Sequence, residues 1–414
     1  MMSNTSGFKR NIPILALCQA LFMSGTSLMV ATTALVGYAL ADDKIYASLP
    51  FTLQLVATML TSIPAGILMN KIGRKKTFLF ATVLAMFGAA ICAYAVVNNS
   101  FFLFTIGSIL IGIFSGFANF YRFTAADIVD KEDKSRAISF VLAGGVLAAI
   151  IGPNLANLTR EMITGAAFAG SYASIILLYV LSFVLINFLD LPHKAQQKQN
   201  ASGESRALSL IIKQPRFIIA VISGMLGYAT MTLVMTATPL AMQHHQHVYS
   251  DTAFVIQWHV LGMFAPSFFT GHLIKRFGLL TVMFTGTILG FACVFINLLG
   301  TSINHFWFAL ILLGISWNFL FIGATTLLTE TYNESEKFKT QALNDFIVFS
   351  VVAFASLSAG ILHHNLGWQF VNYMAIPSLA IILLSLFWLY KVNQITNIEP
   401  QDDMLNIATN QIEG

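Results

Sequence analysis

Gly66-Ile67-Leu68-Met69-Asn70-Lys71-Ile72-Gly73-Arg74-Lys75-Lys76 places four cations in one short turn between two apolar runs. Each run is long enough to cross a bilayer, at about 20 residues per crossing. Lysine and arginine beside a membrane segment hold their loop on the cytoplasmic side. The stretch therefore reads as a tight cytoplasmic hairpin between two membrane helices. A weaker copy, Gly271-His272-Leu273-Ile274-Lys275-Arg276-Phe277-Gly278, stands in the second half of the chain.

Composition extends this reading to the whole chain. Of 414 residues, 57% are hydrophobic and only 10% charged, with a mean hydropathy of +0.75. A soluble domain carries about 25% charged residues, so most of this chain faces lipid, and its length suits about twelve crossings with short loops. The net charge is +4. The cations sit in loops and form no basic face, which excludes a nucleic-acid partner. Cys18, Cys92 and Cys293 lie inside apolar runs and read as small buried hydrophobes, with no disulfide and no metal site. Lys9 and Arg10 precede a long apolar segment without a small-residue cleavage pattern, so a retained first helix is expected in place of a removed signal.

The apolar runs cover 12–38, 48–69, 77–97, 101–127, 137–158 and 168–189, then 217–241, 252–274, 279–300, 305–328, 341–362 and 368–391. This divides the chain into a six-helix bundle over 1–189, a linker over 190–216, a second bundle over 217–391 and a tail over 392–414. The linker is polar, and its composition suits a flexible segment with a short amphipathic piece near Leu208–Lys213. With both termini inside, 19 Lys and Arg fall in cytoplasmic segments. Only Lys44 and Arg160 fall outside, and Arg122 alone lies within a span. That asymmetry gives an even number of crossings, cytoplasmic termini and, with such short loops, a bacterial inner membrane.

The two halves also repeat. Gly66 and Gly271 are 205 residues apart. Asp127 ends one helix and Arg136 begins the next, and Glu330 and Lys339 do the same 203 residues later. Such a repeat supports two bundles related by an axis along the membrane normal, with the acid–cation corners Asp127/Arg136 and Glu330/Lys339 expected to brace a cytoplasmic gate as part of a conformational latch.

The pattern Gly66-x-x-x-Asn70-Lys71-x-Gly73-Arg74-Lys75-Lys76 resembles the signature loop between helices 2 and 3 of the major facilitator superfamily, with Asn70 where that family carries Asp. The resemblance covers essentially the whole chain. It implies an all-α membrane protein of twelve transmembrane helices in two pseudo-symmetric six-helix bundles, working as a secondary transporter by alternating access. It also implies that Gly66, Gly73 and Arg74 latch one state of the transporter, with Asp127 as partner of Arg74 and the start of helix 11 nearby. Asn70 keeps hydrogen-bonding geometry there but drops the charge. The alternative is that Lys71 to Lys76 only fix topology. Ser108 stands where many proton-coupled exporters of the family carry arginine. Gly144, Gly145, Gly152 and Pro153 resemble the Gly-Pro motif of drug–proton antiporters, although Ala156 and Asn157 replace two further glycines. A plain helix bend at a bundle interface explains Pro153 equally well.

Within the spans, an ionisable group is costly unless it faces the bundle interior and is paired. Arg122, about 7–8 Å inward from Asp127 along its helix, has three open readings: a contact for an anionic or carbonyl-bearing solute, a gate partner of Asp345, or an arginine reaching out to water. Asp345 is the leading candidate to carry a proton. His259 is a second candidate, against the plainer reading of a hydrogen-bonded core histidine. Gln19, Tyr38, Gln54, Asn119, Tyr121, Trp258, Trp317, Asn318 and Tyr332 are the remaining candidates to line a cavity, a set suited to an amphipathic organic solute. His244, His245, His247, His363 and His364 fall in outer loops without the acids or cysteines of an ordered metal site.

No phosphate-binding loop and no nucleophile–base arrangement stands in the chain. The expectation is a transporter and not an enzyme, without cofactors, probing the bilayer as its solvent, moving a small organic solute with protons as the coupling ion, and acting as a monomer. Importer of a vitamin, siderophore or other anionic metabolite and exporter of a drug or metabolite both stand. A non-transporting receptor on the same fold is a further alternative, which the short ends disfavour.

Overall fold

The computed structural model describes residues 4–43, 46, 49–191 and 205–410. The N-terminal three residues, the remaining positions between 44 and 48, most of the linker (192–204) and the last four residues lie outside this set.

The chain runs through α1 Asn4–Leu40, α2 Leu49–Ile72, α3 Arg74–Val97, α4 Phe101–Asp127, α5 Lys134–Thr159 and α6 Ala169–Asn187. A one-turn helix, Leu208–Ile211, sits inside the amphipathic piece expected of the linker. Then come α7 Pro215–His244, α8 in two pieces (Tyr249–Phe264 and Ser267–Phe277), α9 Leu279–Leu299, α10 Ile303–Leu328, α11 Lys337–His363 and α12 Asn365–Val392. Helical backbone continues from α12 to Asn410, through much of the expected tail. Among the described residues eleven helices are long and apolar enough to span a membrane, and α8, in two shorter pieces, is the twelfth. In hydrocarbon every backbone N–H and C=O must be satisfied inside the segment, which leaves helices as the form these apolar runs adopt. Phe102, Leu158 and Phe354 are exposed at 72–77%, as lipid-facing side chains are.

One departure from the expected spans is α8. Instead of a single run over 252–274 its hydrogen-bond ladder is interrupted at Ala265–Pro266, whose torsions stay helical, because Pro266 has no N–H to give and its ring crowds the preceding turn. The chain kinks at Gly367, near the start of α12, whose φ of 78° a side chain would strain.

Small residues let the helices approach closely, as membrane packing requires. A Cβ at Gly112 would lie 2.3 Å from the Gln54 carbonyl, and one at Gly116 2.7 Å from Thr61, so α4 lies directly on α2. Gly144 and Gly152 bring α5 onto α1 in the same way. Elsewhere α3 packs on α4 and α6, α7 on α10 and the α11–α12 pair, and α9 on α10. The halves meet along two seams, α2 with α11 and α5 with α8.

The repeat survives in the backbone. Gly73 turns α2 into α3 at φ 86°, ψ 157°, and Gly278 turns α8 into α9 at φ 88°, ψ 152°. Gly66 would place a Cβ 2.7 Å from Ala342 on α11, and Gly271 would place one 2.7 Å from the Arg136 backbone on α5. Each hairpin glycine therefore presses its helix against the opposite half, on the face that carries the basic loops.

Candidate functional site

Two polar clusters join the halves, one at the basic face and one about 7–12 Å deeper along α4 and α11. At the basic face, Gly73 starts α3 so that Arg74 turns inward and is buried. Its guanidinium donates to Asp127 Oδ2 at 2.6 Å, to the Thr124 hydroxyl and to Gln341 Oε1 at 3.0 Å. Gln341, on the first turns of α11, donates onward to Asp127 Oδ2 at 3.3 Å and to the Tyr332 hydroxyl at 2.6 Å. Hydrogen bonds from a charged group are about twice as strong as neutral ones, and here they tie α3 and α4 of one half to α11 of the other. Asn70 is exposed and stands outside this cluster. Lys75 does more than mark topology, since its Nζ donates to the Asn187 and Leu189 carbonyls at 2.7 and 2.8 Å and caps the end of α6.

The two acid–cation corners do not close on themselves. Asp127 is taken by Arg74, while Arg136 reaches Asp133 at 3.1 Å. Glu330 pairs with Arg216 at 3.0 Å, and Lys339 donates to the Ser205 hydroxyl and the Arg206 carbonyl. Each loop carries its cation away from the acid nine residues earlier, and nearer partners win. Sequence reasoning missed Glu336, which is fully buried and accepts from Arg206 N and Nε at 2.8 Å, from Arg206 Nη2 at 2.7 Å and from the Asn333 amide at 3.0 Å. Those donors, the Arg206 side chain above all, pull its carboxyl down to about 2.

In the deeper cluster, Arg122 on α4 donates to Asp345 Oδ1 on α11 at 2.5 Å, with side chains 4% and 0% exposed. A second donation goes to the Asn119 carbonyl at 2.9 Å, where α4 is interrupted by a turn. Its guanidinium lies over the rings of Phe123 and Phe321 at 4.4 and 4.8 Å. Of the three readings of Arg122, the pairing with Asp345 is the arrangement present.

Arg122 also forms part of the wall of a cavity of about 30 Å³, with Gln19, Met23, Asn119 and Leu142 on one side and Tyr228, Phe264, Trp317, Phe321 and Phe349 on the other. Trp317 stacks on Phe321 at 4.9 Å, and Tyr228 meets Trp317, Phe321 and Phe349 edge-on at 5.3–5.8 Å. The buried indole N–H of Trp317 has no hydrogen-bond acceptor. The space holds about two waters and no organic solute.

Four of the sequence candidates, Gln19, Asn119, Arg122 and Trp317, come together there. The others do not. Gln54 is buried under Gly112, and Tyr121 packs on Phe78 within the first bundle. Trp258 is 39% exposed among Phe254 and Trp307. His259 is fully buried and its Nδ1 lies 2.8 Å from the Leu310 carbonyl, the core-histidine arrangement. Asn318 is bound to α8, Tyr332 belongs to the basic-face cluster, and Tyr38 is exposed. The aromatic residues Tyr228, Phe264, Phe321 and Phe349 were missed because they read as ordinary apolar positions in their runs. Pro153 is exposed; Gly144 and Gly152 of its motif serve α1–α5 packing, while Gly145 faces the Phe264 ring of α8. In the outer loops His244 lies edge-on to His245 and His363 at 5.3 and 6.3 Å, and burial with the neighbouring His244 and His247 lowers His245. The side chain of His364 lies outside the described residues.

A family model described as Major Facilitator Superfamily matches residues 15–257 and 220–404. The chain belongs to that superfamily. It is 40% identical over 386 residues to a protein of Brucella anthropi named "Riboflavin transporter RfnT", covering 93% of this chain and 97% of that one. A Bacillus subtilis protein, "Uncharacterized MFS-type transporter YddS", is 27% identical over 379 residues, 86% of each chain. Among solved structures, the proton:xylose symporter XylE superposes with a TM-score of 0.76 at 13% identity, over 94% of this chain and 96% of its own. The Escherichia coli fucose:proton symporter FucP gives 0.69 at 17%, over 91% and 98%. At such identities these two show the shared fold alone. Superfamily members move small solutes across membranes, and the fold here is theirs.

Proposed function

We propose that the chain is a proton-coupled secondary transporter of riboflavin, or of a similarly flat solute rich in hydrogen-bonding groups, in a bacterial inner membrane with both termini cytoplasmic. The observation that carries this reading is the buried Arg122–Asp345 pair, which joins the halves at the wall of an aromatic and amide-lined cavity. The 40% identity to a riboflavin transporter supports the substrate class. Flat aromatic walls at Tyr228, Trp317 and Phe321 suit a flat ring system. Gln19, Asn119 and the unpartnered Trp317 N–H suit its polar edge. One chain contains the whole cavity, so a monomer suffices.

In the mechanism, protonation of Asp345 removes the negative charge that holds Arg122. The guanidinium is then free to meet a solute acceptor, and the halves lose their central tie. Opening the basic face also requires the Arg74–Asp127–Gln341 cluster to part. Return of the proton to the cytoplasmic side restores both ties. Import is the expected direction, because Ser108 replaces the arginine of exporters.

Proteoliposomes carrying an inward proton gradient test the reading by riboflavin fluorescence. Accumulation should collapse with an uncoupler and in Asp345→Asn, while solute counterflow in that variant persists. Absence of any riboflavin movement would remove the substrate assignment. Accumulation that survives in Asp345→Asn would remove that residue as the proton carrier.

A further inference from the structure

The break in α8 is unmatched in α2, its counterpart in the other half, which runs unbroken through Pro64. Beside the break lies Asn318 of α10, fully buried. Its Nδ2 donates to the Met263 carbonyl at 2.6 Å and to the Ser267 hydroxyl at 2.6 Å, and its Oδ1 accepts from the Thr270 hydroxyl at 2.7 Å. Those partners belong to both pieces of α8: Met263 to the first, Ser267 and Thr270 to the second. A buried amide so satisfied is expensive to unpair, so Asn318 holds the two pieces to one point on α10.

The pieces differ in their main contacts, although Phe264 at the end of the first also meets Gly145 of α5. The first, Tyr249–Phe264, is fastened to α10 along its length. A Cβ at Gly262 would lie 2.9 Å from the Ile311 carbonyl, one at Gly314 2.6 Å from the His259 carbonyl, and the His259 ring meets the Leu310 carbonyl. The second, Ser267–Phe277, lies against α5 of the opposite half, where Gly271 abuts the Arg136 backbone and the Ser135 hydroxyl donates to the Gly271 carbonyl at 3.4 Å. The α5–α8 seam on the basic face is thus made by a segment joined to its own bundle through a proline break.

We propose that Ala265–Pro266 is a hinge and Asn318 its pin, so that the second piece of α8 swings away from α5 independently of the α2–α11 seam. Phe264 and Trp317, the neighbours of hinge and pin, touch at 5.7 Å and both line the cavity. Occupation of the cavity therefore bears directly on the hinge. Rigid rocking of two whole bundles opens both seams together, whereas a hinged α8 opens one of them alone. Hinges of this sort absorb motion at a few element-terminal residues.

The test needs no solute. In full-length protein with Cys18, Cys92 and Cys293 replaced by Ala and Asp345→Asn added to release the central tie, spin labels at Glu132 and Arg276 read the α5–α8 seam. Labels at Asn70 and Ser335 read the α2–α11 seam. All four positions are exposed. Asn318→Ala should increase the long-distance population of the first pair by about twofold or more and leave the second unchanged. Pro266→Ala, which keeps the pin and restores a backbone donor, should make the two pairs open together. The hinge is overturned if Asn318→Ala shifts both pairs equally or neither. It is likewise overturned if Pro266→Ala leaves the pairs moving as in the parent, which decides the matter even where Asn318→Ala does not fold.

Discussion

Arg122 and Asp345 form a buried ion pair between the halves. Removing one partner of a buried ion pair leaves an uncompensated charge and typically costs about 3–5 kcal/mol, while removing both costs much less. Arg122→Gln should therefore lower the unfolding temperature in detergent more than the double variant Arg122→Gln/Asp345→Asn does. Equal losses would mean that the pair is not what the second substitution relieves.

Glu336 behaves differently because its partner Arg206 is half open to water, at 39% exposure. Its folded carboxyl lies at about 2, below the ordinary 4.5. A depressed acid stabilises the fold above its unfolded value and loses that contribution as pH falls from 4.5 towards 2. The contribution is about 2 kcal/mol, less than the full shift implies because solvent screens the arginine. Glu336→Gln should flatten the decline in unfolding temperature between pH 5 and pH 3, and an unchanged slope would assign that decline to other acids.

Among the elements, α2 and α11 are set so close at the basic face that Gly66 leaves no room for a side chain. Its Cβ would fall 2.8 Å from the Phe338 carbonyl, which is backbone and cannot turn aside. Gly66→Leu should hold this seam open. Labelling of a cysteine at buried Asn344 by an impermeant maleimide from the basic side should rise about tenfold, a shift of about 1.4 kcal/mol towards the open form. Undiminished protection would show that the seam yields elsewhere. Helix identity was legible for all twelve elements, because an apolar run of about 20 residues has one stable form in lipid. The break in α8 was not, since a proline inside a membrane helix is compatible with a continuous helix, as α2 shows at Pro64.

For the molecule as a whole, the cation asymmetry predicts which face is which. A cysteine at Glu132 should react with impermeant reagent in inverted vesicles only, and one at His245 in right-side-out vesicles only. The reverse pattern would overturn the orientation and with it the proposed direction of proton entry.

The sequence by itself determined the membrane class, the spans, the duplication and the superfamily, because hydropathy, loop charge and the Gly66–Lys76 spacing are local properties that need no partner. It also brought out Arg122 and Asp345, since a charge inside an apolar run is conspicuous, and Arg74 with Asp127 through the family pattern. Only the tertiary structure decided the pairings. Arg122 meets Asp345 across 223 positions, Glu336 meets Arg206, and Asn318 turns to the break in α8 and not to the cavity. The cavity's aromatic wall belongs to the same class. Phe264, Phe321 and Phe349 are indistinguishable along the chain from phenylalanines that face lipid, and only packing between helices decides which of them face the cavity.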